Sequence, residues 1–211
     1  MLFRTLKQKI ERVNTYTHMF GLFLAIPAII VLLVFASIEG GPTRIVSFSV
    51  YGFSLCILYL FSTLYHGSKG HRKKIFQQLD HIAIYLLIAG SYTPFTLLVL
   101  QGAWGWTLFG IVWGLALVGI VIDSLYRKGP RIVQMVIYFT MGWLILVGLY
   151  PLIDNLATGG LVLLFAGGLF YSVGVIFYRL DVYFRYGHGI WHLFVLAGSI
   201  CHYLAMLFYM L

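Results

Sequence analysis

Acidic side chains are scarce. The 211 residues contain six, Glu11, Glu39, Asp80, Asp123, Asp154 and Asp181, and charged residues of both signs make up only 9% of the chain. Soluble domains carry about 25% charged residues, so a water-facing globule is excluded. Cysteine is scarcer still: Cys56 and Cys201 both fall in apolar stretches, which excludes a disulfide framework and leaves them as small buried hydrophobes. Long polar segments are also missing, so there is no room for a separate soluble domain. What is present is apolar, 61% of residues with a mean hydropathy of +0.94. The chain is expected to be an all-α, multi-pass membrane protein.

A helix crosses the hydrocarbon layer in roughly 20 residues. Charged or Gly/Pro/Asn-rich breaks, EGGPT, HGSKGHRKKIFQQ, QGAW, SLYRKGP, PLIDNLATGG and YRLDVYFRYGHG, divide the chain into seven spans of about that length. They cover approximately 18–38, 44–65, 79–100, 104–123, 131–151, 159–178 and 189–209, one transmembrane domain occupying 1–211. The first is too long for a signal-peptide core and is read as retained. Glycines within the spans, as in GIVWG at 110–114, suit close helix packing in lipid.

Seven spans place Arg4, Lys7, Lys9, Arg12, Lys69, Arg72, Lys73, Lys74, Arg127, Lys128, Arg131, Arg179 and Arg185 on one side and Arg44 alone on the other. Positive charge stays inside, so the N-terminus is expected in the cytoplasm and the C-terminus outside, in the inner (plasma) membrane. The formal net charge of +8 is thereby accounted for by topology and contact with anionic lipid. Nucleic acid is not an expected partner.

Histidines stand out against this background. The segment HGIWHLFVLAGSICH, residues 188–202, holds three, and an unsatisfied polar group in hydrocarbon costs several kcal/mol. His66 ends the second span, Asp80 begins the third, and His188 and His192 open the seventh, all at one depth near the cytoplasmic end. His188 and His192 lie four residues apart, on one helix face, a spacing that lets two imidazoles reach one metal ion. His66 supplies a third ligand from another helix, with Ser62 one turn before it. Three neutral imidazoles with an open position resemble the ligand set of catalytic zinc, and zinc is the expected ion. Zinc so held brings the pKa of water to about 7; Asp80 could take a proton from that water, and Ser62 could hydrogen-bond it or a substrate carbonyl. Hydrolysis is the chemistry expected of this set.

Other titratable residues fit less well. His202 lies fourteen residues beyond His188, about 21 Å along a helix, and is expected to serve packing or a local hydrogen bond. His18 has the right depth for a supporting role or a fourth ligand. His71 and His81 are expected to be solvated or interfacial, and Asp123 and Asp181 to pair with neighbouring basic residues. Glu39 and Asp154 fall in outer loops with no chemistry assigned.

The segments ERVNTYTHMFG, STLYHGSKG with LDHIAIYLLIAGSYTP, and HGIWHLFVLAGSICHYLAM resemble, in order, the three motifs of the progestin and adipoQ receptor (PAQR) family, in its bacterial hemolysin III branch. The resemblance spans nearly the whole chain. It implies a seven-helix bundle with a cytoplasmic N-terminus and zinc near the cytoplasmic face, held by His66, His188 and His192 with Asp80 and Ser62 beside it. Its eukaryotic adiponectin receptors and the similar alkaline ceramidases imply hydrolysis of lipid amides. Unlike the receptors, this chain has no long N-terminal cytoplasmic segment. Three functions are therefore weighed: a zinc-dependent hydrolase of membrane lipid amides or esters, a receptor-like or membrane-homeostasis protein with structural zinc, and a pore-forming cytolysin. The last fits poorly with seven resident spans.

Overall fold

A computed structural model describes residues 2–125 and 131–211, with the side chains of residues 2–5, 7 and 131 left aside. Seven helices are long and apolar enough to cross a membrane, and no strand occurs among the described residues. We label them α1 (Leu2–Glu39), α2 (Pro42–Gly67), α3 (Gly70–Leu100), α4 (Gly102–Leu125), α5 (Ile132–Asn155), α6 (Thr158–Arg179) and α7 (Gly187–Tyr209). The break expected at SLYRKGP falls largely on 126–130, outside the described residues, as do the side chains of Arg4, Lys7, Arg127, Lys128 and Arg131.

The helices are longer than the apolar spans alone foretell. α1 begins sixteen residues before His18, because nothing between Leu2 and Pro27 interrupts helical geometry. Its polar first turns need not stay in water, since Glu11, Asn14 and Thr17 find partners in the bundle. α3 likewise starts at Gly70, so most of HGSKGHRKKIFQQ is helix rather than loop. Between α1 and α2 the chain reverses at Gly40 and Gly41, with φ of 81° and 97°, a left-handed conformation that glycine adopts without steric cost. Two helices are irregular within. α3 passes into a π-helical segment, Phe95–Leu100, directly after Pro94, and α5 tightens to a 3-10 turn at Leu144–Gly148.

The bundle is apolar outside and selectively polar inside. Phe23, Leu117 and Val162 are each more than 60% exposed, the pattern of a surface solvated by lipid. Ser54, Ser91, Thr93 and Thr96 are buried and donate to carbonyls three or four residues back, which satisfies their hydroxyls within the helix. Close helix approach is made by Gly52, against Ile29, and Gly119, against Tyr85. The glycines of GIVWG do not contribute: a Cβ at Gly110 or Gly114 would meet open space. Those two face outward, so lipid, not a helix, is their neighbour.

Candidate metal centre

The inward stripe of α2 includes Tyr51, Leu55, Leu58, Tyr59 and Ser62 and ends on His66, all buried. Helical spacing of three and four keeps these side chains on one face, so the same periodicity that builds the core delivers His66 to its basic end. On α7, Val195, Ser199, His202 and Met206 continue the stripe that starts at His192. His188 lies one turn before His192, at the helix start.

These placements bring the three expected ligands together. The ring centroids of His66, His188 and His192 form a nearly equilateral triangle with sides of 4.8, 4.9 and 5.0 Å. One ligand atom from each lies within 4.8 Å of the other two. Three histidines at this spacing can hold a metal ion.

Each ring is also held from behind. His66 donates from Nδ1 to Glu11 Oε2 at 2.8 Å, and Lys73 closes on the other oxygen of that carboxylate at 2.9 Å. His192 Nδ1 reaches the Asn14 carbonyl at 3.1 Å and Thr17 Oγ1 at 2.9 Å. His188 Nδ1 lies 3.4 Å from Asp181 Oδ2. A carbonyl or carboxylate oxygen only accepts, so these contacts place the proton on Nδ1 and leave Nε2 as the lone-pair donor. His66 Nε2 is buried with no hydrogen-bond partner among the described residues. An imidazole anchored through Nδ1 with an orphaned Nε2 is the arrangement that metal-binding histidines share.

Asp80 and Ser62 are buried beside this triangle and line the same cavity. His18, buried on α1, stacks on His192 with centroids 3.6 Å apart. That fits the supporting role read for it, and His18 is not in the three-histidine cluster. His202 is buried but donates from Nε2 to the Leu164 carbonyl at 3.2 Å, the local hydrogen bond expected. His71 is exposed, whereas His81 is half-buried at the edge of the cavity described below. Asp123 differs from expectation in accepting from Gln134, whereas Asp181 meets His188. In the second case the turn after α6 carries the carboxylate back toward the start of α7.

Glu11, Asn14 and Thr17 were not singled out by sequence reasoning. A signal was present: the buried positions Asn14, His18, Gly21, Ala25, Leu32 and Ala36 follow helical spacing, and Glu11 is the next member of that series toward the N-terminus. Judging span length from hydropathy alone stopped the helix at His18.

The site opens into a cavity of about 380 Å³ that runs from Glu11, Asp80 and His188 through the bundle to Phe95, Leu164 and His202. Its walls change from polar at the basic end to mainly apolar and aromatic deeper in. The volume lies within the range of small-molecule sites, about 300 to 1,000 Å³.

Comparison with known proteins agrees with this architecture. A family description, "Haemolysin-III related", matches residues 6–203. The chain belongs to that family. It is 48% identical to Hemolysin-3 of Bacillus cereus over 205 residues, covering 96% of this chain and 93% of the relative. Identity to the Hemolysin-3 homolog of Bacillus subtilis (strain 168) is 45%, over 97% and 95% of the two chains. The human Monocyte to macrophage differentiation factor, a PAQR-type protein, is 32% identical over 92% of this chain and 81% of its own length. This haemolysin-III-related chain is thus a multi-pass membrane protein with a histidine triad able to hold a metal ion.

Proposed function

We propose that the protein is an intramembrane, zinc-dependent hydrolase of a lipid amide or ester, working at the cytoplasmic side of the inner membrane. One observation carries the reading: three imidazoles anchored through Nδ1 converge next to a buried Asp80–Ser62 pair at the end of a largely apolar cavity. The donor set fits zinc, which takes nitrogen ligands and in catalytic sites is held by three protein groups. When bound, zinc supplies Lewis-acid polarisation and activates water near neutral pH.

The remaining work falls to the chain's own residues. The apolar walls hold the acyl chain and exclude bulk water, which strengthens electrostatic interactions at the reacting carbonyl. Asp80 takes the proton from water as its oxygen bonds to the carbonyl carbon. It then returns that proton to the leaving nitrogen or oxygen as the bond to carbon breaks. Ser62, buried on the same cavity wall, has a hydroxyl that can donate to the Asp80 carboxylate or to the substrate carbonyl.

Asp80→Asn tests the reading. It preserves size and hydrogen bonding but removes the proton acceptor, so metal content should persist while turnover of a lipid amide or ester falls by about 10² to 10⁴. A zinc-loaded parent protein that cleaves nothing across a broad panel of lipid amides and esters would contradict catalysis. Together with altered metal affinity in Asp80→Asn, it would leave zinc in a structural, receptor-like role.

A further inference from the structure

Beyond Asp181, which faces His188, the turn between α6 and α7 carries residues that neither the metal centre nor the proposed hydrolysis uses. Its residues DVYFRY, 181–186, fold back tightly: Tyr183 and Phe184 amides donate to the Leu180 carbonyl, and the Gly187 amide donates to that of Phe184. The return demands Gly187, where a Cβ would lie 3.0 Å from the Asp181 backbone and 3.1 Å from the Phe177 carbonyl. The turn therefore holds Arg185 three residues before the ligand His188. Arg185 is exposed and lines the mouth of the cavity, with Gln77 and His81 of α3.

Charge bookkeeping at that mouth leaves Arg185 available. Glu11 is engaged by His66 and Lys73 and Asp181 by His188, and Asp80 is buried inside the bundle. Arg185 makes no ion pair among the described residues. Beside it Tyr183 is 79% and Phe184 55% exposed. Exposed aromatic side chains at a helix end are the kind that sit at the headgroup level of a bilayer. A guanidinium presented at that level matches a phosphate, which it can bind bidentately.

We propose that Arg185 and the 181–186 turn form a headgroup site for a phosphate-bearing lipid, seating the phosphate at the mouth with the lipid chain in the cavity. The inference rests on the reading of the cavity as one that admits a lipid, and it adds that the lipid is anionic.

Binding of non-hydrolysable lipids to the full-length protein in a neutral detergent, followed by native mass spectrometry, tests this. The probes are a diether phosphatidic acid, a diether glycerol with the same chains, and inorganic phosphate as competitor. The phosphate lipid should bind about tenfold tighter than the neutral one, the worth of one charge-assisted hydrogen-bonded contact. Arg185→Gln should abolish that preference while binding of the neutral lipid and the thermal midpoint persist. Arg185→Lys should keep part of it, and Arg44→Gln, at the far end of the bundle, all of it. The inference is overturned by equal binding of the two lipids, by a preference that survives Arg185→Gln, or by equal loss in Arg44→Gln. Inorganic phosphate that competes at the lipid's own concentration would also overturn it, by showing a free-phosphate site. Diether lipids contain no acyl amide or carboxylic ester bond, so this outcome is independent of whether the protein proves to be a hydrolase of such bonds.

Discussion

At the scale of single residues, the centre is defined less by its three histidines than by what stands behind each. Glu11, Asp181 and the Asn14–Thr17 pair hold the three Nδ1 atoms, and removal of such partners typically weakens metal binding 10- to 100-fold. Glu11→Gln should therefore lower zinc affinity within that range, measured by competition with a chelator of known affinity, while leaving the ion count near one at saturating metal. Unchanged affinity would mean that the Glu11 contact does not orient His66. The histidine triad was legible in the sequence because HxxxH and SxxxH have fixed helical consequences and polar residues in apolar spans need a reason to be there. Their partners were not. Glu11 and Asp181 lie in charged segments at helix ends, where hydropathy gives the same signal for a solvated side chain as for one turned inward.

At the scale of helices, glycine marks contact only where the neighbour is close. A Cβ at Gly119 would lie 2.2 Å from the Tyr85 ring, whereas one at Gly114 on the same helix meets nothing within 4 Å. Gly119→Val should destabilise the bundle by about 1 to 3 kcal/mol, the usual penalty of overpacking, read as a lower thermal midpoint in detergent. Gly114→Ala should stay within about 0.5 kcal/mol of the parent. A similar drop for both would show that the cost does not come from the close approach to Tyr85, since helix propensity by itself favours alanine or valine over glycine. The number and order of the helices were readable because seven apolar runs separated by charge admit few other arrangements. Which glycines face a partner was not, because GIVWG has small-residue spacing whichever way it points. The first turns of α1 and α3 were missed for a related reason: polar residues there continue the helix while interrupting its apolar pattern.

At the scale of the whole molecule, the triad and the basic segments lie at the same end of the bundle, so orientation in the membrane decides which compartment reaches the site. The distribution of lysine and arginine predicts a cytoplasmic N-terminus. A reporter inserted near Lys69 should be active only if it works in the cytoplasm, and one fused after Leu211 only if it works outside. Both reporting the same side would require an even number of crossings between them and would contradict the seven-helix arrangement. Centrally, three histidines from α2 and α7 are proposed to hold one catalytic zinc ion. The most direct measurement is metal analysis of the purified protein and its single histidine variants. One zinc per chain is expected, largely lost in His66→Ala, His188→Ala and His192→Ala and retained in His202→Ala, whose ring bonds to Leu164 well away from the triad. A metal-free parent after purification in zinc-containing buffer, or equal loss in His202→Ala, would contradict the account.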